Sequence, residues 1–172
     1  MKPRRKIPMD AYQQRTPVIR AFRPEDGPGV ISVIRSVYDA VGLTMDLTEF
    51  DRDLADICAS YQDAGGEFWV LDEGGLVTGC IGATPVGVDR SELHRLYLTD
   101  SRRGRGWGRR LLETALAWCR VEGRPRVFLW SDIRFETARE VYIRLGFAPT
   151  RRTRAIDPVN PGCVERLFEL DT

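Results

Sequence analysis

Apolar residues along this chain keep two rhythms, and each change of rhythm marks a change of element. Alternating or continuous apolar runs at 18–23, 68–71, 76–83, 92–98 and 126–130 predict strands. Between the first two, Pro24-Glu25-Asp26 opens a helix with Val30, Val33, Ile34, Val37 and Val41 on one face. A break at Gly42-Leu43-Thr44 leads to a shorter helix holding Phe50, Leu54 and Ile57. Gly65-Gly66 punctuates, and Asp72-Glu73-Gly74-Gly75 joins the next two strands as a hairpin. After the strand at 92–98, Gly108, Leu111, Leu112, Ala115, Leu116 and Cys119 repeat at i, i+3, i+4, i+7 and form one buried helical face. Phe135, Ala138, Val141, Tyr142 and Leu145 form another, closed by Gly146 just past the helix end. Strands at about 148–154 and 164–170 complete the order β-α-α-β-β-β-α-β-α-β-β. Residues 17–172 read as one domain without repeats or an internal linker, and residues 1–16 as a flexible basic arm.

The junction between the strand at 92–98 and its helix carries the chemistry. Ser101-Arg102-Arg103-Gly104-Arg105-Gly106-Trp107-Gly108-Arg109-Arg110 crowds glycines and arginines where a helix dipole begins. Glycines at 104, 106 and 108 allow positive φ and let backbone N–H groups converge on a phosphate or pyrophosphate. A Walker-type loop is excluded because no Lys-Ser or Lys-Thr follows the glycines. A dinucleotide fingerprint fails too: its third glycine would fall on Arg109 or Leu111.

Two motifs in the right order resemble the GNAT superfamily of N-acetyltransferases. Arg103-Gly104-Arg105-Gly106-Trp107-Gly108 fits the Arg/Gln-x-x-Gly-x-Gly/Ala loop that holds the acetyl-CoA pyrophosphate, and Ala138-x-x-x-Tyr142-x-x-Leu145-Gly146-Phe147 looks like the helix after the fifth strand. The resemblance covers about 17–170 and implies an α/β (α+β) acyl-CoA N-acyltransferase fold. That fold has a mixed, mostly antiparallel sheet of six to seven strands, splayed between strands 4 and 5 and flanked by about four helices. It implies an acetyl-CoA-dependent N-acetyltransferase passing acetyl to a primary amine by direct attack, with acetyl-CoA as cosubstrate and no metal.

The resemblance also assigns roles. Leu96, Tyr97 and Leu98 would offer backbone to the pantetheine as to an added strand, and Arg103, Gly104, Arg105, Gly106, Trp107, Gly108 and Arg109 would hold the pyrophosphate. Tyr142 matches the general acid toward the CoA sulfur, and Glu92 the glutamate base of some members. Strict alternation puts Glu92, the single histidine His94, Leu96 and Leu98 on one face of the strand. Many relatives carry an asparagine just after strand 5. Here Ser131-Asp132 stands there: either Ser131 donates in its place or the contact is absent. Trp130, at the strand's end, is a candidate for the acceptor pocket. The acceptor itself would be set by residues 38–50 and 155–162, which hold no motif of fixed chemical meaning. Asp46, Glu49, Asp51, Asp53 and Asp56 either steer a cationic acceptor or form a solvated helix face.

Bulk properties narrow the alternatives. With 172 residues, 42% hydrophobic and 30% charged, the chain suits one soluble domain. A net charge of +1 weakens the reading of the loop as an Arg-rich nucleic-acid-binding module. A catalytically silent acetyl-CoA sensor of the same fold is the other alternative. Cys58, Cys80, Cys119 and Cys163 are scattered without a CxxC pair, which suggests buried free thiols in a cytoplasmic protein. No apolar stretch suggests a membrane span or a secretory signal. The expected partners are acetyl-CoA and a small-molecule or peptide amine, with a homodimer left open.

Overall fold

The computed structural model describes residues 16–155 and 159–172. The arm expected at 1–16, apart from Thr16, lies outside the described residues, as does the middle of the loop expected at 155–162. Seven strands form one sheet: β1 (Val18–Ala21), β2 (Glu67–Asp72), β3 (Val77–Val86), β4 (Arg90–Leu98), β5 (Arg126–Asp132), β6 (Ala148–Arg154) and β7 (Glu165–Asp171). Their order is β1-β2-β3-β4-β5-β7-β6, and every neighbouring pair is antiparallel except β4 and β5. That parallel pair runs only from Arg90↔Arg126 to Leu93↔Leu129. Past Leu93 the two strands part, so the β4 edge is unpaired where the sheet opens.

Helix α1 (Gly27–Val41) crosses β3 and β4 on one face, and α2 (Trp107–Val121) covers the other. Alternating side chains of β2 and β3 feed both layers. Trp69, Ile81 and Ala83 join Leu111, Leu112, Ala115, Leu116 and Cys119 beneath α2. Phe68, Val70, Val77 and Cys80 join Val30, Val33, Ile34 and Tyr38 beneath α1. Burying a leucine such as Leu111 or Leu112 contributes about 1.5–3 kcal/mol, which makes these stripes the main support of both helices. Helix α3 (Glu136–Arg144) differs: Tyr142 alone is buried within it. Ala138, Val141 and Leu145 are half-buried because they face a cleft rather than a closed core.

Two expectations need correction. The short helix expected around Phe50, Leu54 and Ile57 is broken into turns, with one tight turn at Arg52–Leu54 and one wide turn at Cys58–Gln62. Its aspartates are the cause, because their carboxylates take backbone N–H groups that a helix would need. Asp46 accepts from Thr48 and Glu49, Asp51 from Asp46, and Asp56 from Ala59. Leu54 and Ile57 are buried as expected, whereas Phe50 lines the cleft.

The second correction concerns β4. Tyr97 pairs with Cys80 and His94 with Gly82, so Arg95 and Leu96 together oppose Ile81. This is a β-bulge, and it reverses the alternation. Glu92 and His94 do not share a face with Leu96 and Leu98. Leu93, Leu96 and Leu98 all pack under α2, while Tyr97 packs under α1 and the His94 ring meets Tyr61. The signal was in the sequence: apolar residues at 93, 96 and 98 cannot keep a period of two.

Candidate active site

The Arg/Gly loop is shaped by two left-handed residues, Gly104 at φ 69° and Gly106 at φ 80°, the second of which caps α2. A Cβ on either would meet nothing within 4 Å, so these glycines serve the backbone angle rather than a tight space. Among the described residues, the backbone N–H groups from Gly104 to Arg109 have no acceptor within the protein; the first helical bond runs from Arg110 N–H to the Gly106 carbonyl. A run of free donors at a helix N-terminus fits a pyrophosphate.

The loop's arginines are largely engaged. Arg102 forks onto the buried carboxylate of Glu73, Arg103 pairs with Asp100 at 2.8 Å, and Arg109 pairs with Glu113 at 2.7 Å. Arg110 stacks on Trp107 at 4.7 Å. These contacts offset three of the loop's five arginine charges, which weakens the reading of a nucleic-acid-binding loop. Arg103, Gly104, Gly106, Gly108 and Arg109 line the main cleft; Arg105 is exposed outside it, and the Trp107 side chain lies on a second groove beside β1.

From this loop a cleft of about 690 Å³ follows the unpaired edge of β4, past Leu98, Tyr97 and Leu96, to the point where β4 and β5 part. One wall is α3; the far end is walled by Val37, Val41, Leu43, Phe50 and Trp130. The size and mixed lining suit a large ligand rather than a solvent dimple.

Tyr142 lies in the cleft wall and is 6% exposed, stacked obliquely on Phe168 at 5.6 Å. Burial pushes its phenol above the usual range and the nearby Tyr97 adds to this, while the Ser131 hydroxyl draws it back. The group therefore keeps its proton at neutral pH. Ser131 is buried, lines the cleft and stands beside that hydroxyl, so the structure brings Tyr142 and Ser131 together. Asp132 cannot replace the missing asparagine, because Arg134 and the Cys163 thiol at 2.8 Å occupy its carboxylate.

Glu92 is not in the cleft wall; His94 is. Burial raises the Glu92 carboxyl, against the pull of Arg154 and Arg90. Its Oε1 stands 3.8 Å from His94 Nδ1, and His94 Nε2 meets Thr84 Oγ1 at 2.8 Å. Burial lowers His94 to about 4, more than Asp53 raises it, so the ring is neutral at physiological pH. The geometry thus presents the histidine, not the glutamate, to the cleft.

The segment that follows α1 is held by contacts that the sequence did not reveal. Arg95 reaches Asp51 at 2.7 Å, Asp53 at 2.5 and 3.0 Å, and the Tyr38 hydroxyl at 3.1 Å. Asp51 and Asp53 are therefore tied to Arg95 instead of standing free to steer an acceptor. Asn160 clasps both backbone groups of Thr44, accepting from N–H at 2.7 Å and donating to the carbonyl at 2.9 Å. Trp130 lines the cleft as expected, with the Arg154 guanidinium 4.3 Å over its ring and Glu165 holding that guanidinium at 2.6 Å. All four cysteines are free thiols, but only Cys80 and Cys119 are buried; Cys58 and Cys163 are half-buried. Among the described residues no cluster of metal-ligating side chains exists, and no helix is long and apolar enough to cross a membrane.

A sheet that opens beside a strand edge, fed from a loop of free N–H groups, is the arrangement that the resemblance to N-acetyltransferases implies. Comparison with known proteins agrees: residues 34–147 match the family model described as "Acetyltransferase (GNAT) family". The Escherichia coli K12 protein described as "Uncharacterized N-acetyltransferase YjgM" is 31% identical over 144 residues, 81% of this chain and 86% of that protein. The mouse protein described as "Probable N-acetyltransferase family 8 member 5" is 35% identical over 103 residues, 57% of this chain and 45% of its own length. The chain thus spans under half the length of that mammalian relative. Among solved structures, a GNAT-family acetyltransferase from Staphylococcus aureus Mu50 superposes with a TM-score of 0.79 at 20% identity, covering 91% of this chain and 99% of that one. The Salmonella typhimurium yncA structure, solved "with its cofactor Acetyl-CoA", has a TM-score of 0.72 at 18% identity, covering 91% and 94%. The chain belongs to the acetyltransferase (GNAT) family.

Proposed function

We propose that residues 17–172 form an acetyltransferase domain that moves the acetyl group of acetyl-CoA to a primary amine of a small molecule or peptide. The observation that carries this reading is the continuity from the free N–H groups of Gly104–Arg109, along the open β4 edge, to a proton-holding tyrosine and a neutral histidine. The single sheet running from Val18 to Asp171 supports one domain. The loop N–H groups bind the pyrophosphate, with Arg103 and Arg109 at the rim, and the backbone at Leu96, Tyr97 and Leu98 aligns the pantetheine. Acetyl-CoA supplies the activated acyl group. His94, with Glu92 beside it, takes the proton from the attacking amine, and Tyr142 protonates the departing sulfur with Ser131 orienting its hydroxyl. Four free thiols are in keeping with a reducing, cytoplasmic setting.

The test is release of free thiol from acetyl-CoA across primary amines, including arylalkylamines, polyamines, aminoglycosides, amino acids and peptide N-termini. Release above the rate with acetyl-CoA alone for at least one amine is expected. Tight CoA binding with no release across the panel would turn the reading to a sensor, and absence of CoA binding would overturn it.

A further inference from the structure

Among the described residues, Arg95 is the one non-glycine residue with a positive φ, at 57°. It sits in the bulge of β4, two residues past Leu93, where β4 and β5 part. A glycine would hold this left-handed angle without strain, and bulges of this kind favour one. Arginine there is explained by its side chain. The guanidinium forks onto Asp53, reaches Asp51 and the Tyr38 hydroxyl, and is 13% exposed; the Asp51 side chain is wholly buried. Asp51 and Asp53 are further fixed by hydrogen bonds from the Asp46 N–H at 2.9 Å and the Tyr61 hydroxyl at 2.6 Å. One side chain thereby fastens the bulge to α1 and to the turns that follow it.

We propose that Arg95 is a positioning residue: its fork fixes the β4 bulge in the register that aims the open strand edge at the acetyl carbonyl. This rests on the reading that the cleft takes acetyl-CoA. Arg95 lines the cleft but acts through backbone and through Asp51 and Asp53, not as an acid or base. The loop that would hold the pyrophosphate begins at the far end of β4 and shares no contact with this network. Loss of the fork should therefore disturb the thioester end and spare affinity.

The test uses [1-¹³C]acetyl-CoA bound to wild type and to Arg95→Gly, Arg95→Lys and Asp53→Asn. Arg95→Gly relieves the backbone angle and removes the fork, Arg95→Lys keeps the charge without the fork, and Asp53→Asn removes one anchor from a partly exposed site. In wild type the carbonyl resonance should move from its free position on binding. In the variants Kd should stay within about threefold, while that movement falls by half or more. An unmoved resonance in wild type with binding intact, or an unchanged shift in variants whose Tm has fallen, would overturn the proposal, since the network would then be structural only. A Kd raised more than tenfold would also overturn it, by placing the effect at the pyrophosphate loop. If Arg95→Gly does not fold, Asp53→Asn gives the same decision. Failure of wild type to bind acetyl-CoA at all would remove the functional reading itself, a separate and distinguishable result.

Discussion

The two ends of the cleft are built from different materials. At the proposed cofactor end the groups on offer are backbone: free N–H groups at the start of α2 and the unpaired edge of β4. At the proposed acceptor end they are side chains that meet across long stretches of chain. Arg95 finds Asp51 and Asp53 across more than forty residues, and Asn160 finds Thr44 across 116. A backbone site leaves a local mark, because glycines must stand where φ is positive. A side-chain site leaves none, because any aspartate and any arginine could pair.

That contrast accounts for what was legible. Helix α2, the hairpin, the left-handed glycines of the loop and the α3 stripe that carries Tyr142 could all be read from short spacings, since each depends on residues within a few turns of one another. The broken segment after α1 was misread because Asp46, Asp51 and Asp56 compete for backbone N–H groups, which periodicity does not register. By sequence, Glu92 ranks ahead of His94 because its position matches the family's glutamate. Strict alternation puts both on the face of Leu96 and Leu98, an assignment that the bulge at Arg95 and Leu96 undoes. The acceptor clasp by Asn160 had no local sign at all.

In the proposed reaction Tyr142 acts where the two ends meet, so its loss should be the most damaging. Tyr142→Phe keeps the ring packed on Phe168 and removes only the hydroxyl beside Ser131. We expect kcat to fall by about 10²–10⁴-fold with little change in the acetyl-CoA KM. A kcat unchanged when chemistry is rate-limiting would make Tyr142 a core residue.

The cofactor end should break through backbone angle alone. Gly106→Val puts a β-branched residue at φ 80°, and the left-handed penalty of about 1–2 kcal/mol or more must appear somewhere. If the loop relaxes, CoA affinity should fall at least ~10-fold; if it does not, Tm should fall instead. Gly108→Ala is the control: its Cβ would meet Leu98 Cδ1 at 3.5 Å, an ordinary contact, so titration calorimetry should find CoA affinity close to wild type. Equal losses in both variants would mean that the loop depends on side-chain space and not on conformation.

Acid should weaken the acceptor side through His94. Its folded pKa of about 4 lies below its ordinary 6.5, so between those values the unfolded chain binds more protons. The stability it contributes is complete above about pH 6.5 and is lost as pH falls toward 4. With a side chain 28% exposed, the loss should be about 1–2 kcal/mol. Urea unfolding at several pH values should show this slope in wild type, and His94→Gln should flatten it. An identical slope in the variant would assign the effect to other groups.

The smallest effect should come from the clasp between the two acceptor-side segments. Asn160→Ala removes an acceptor for the Thr44 N–H and a donor to its carbonyl, each bond contributing about 1 kcal/mol at most once water takes its place. Tm should fall by only a few degrees, since ~1 kcal/mol corresponds to roughly 2–4 °C in a chain of this size. The acetyl-CoA KM should not change, because the clasp lies away from the Gly104–Arg109 loop. The KM for the best amine of the panel should rise about two- to fivefold, as the wall carrying Leu43 and Phe50 loses its tether, and amide exchange should quicken across residues 43–50. A rise confined to the amine separates the two ends cleanly. Equal rises for amine and acetyl-CoA would show that the ends move as one body, and the division between a backbone-built and a side-chain-built half would then be geometric only.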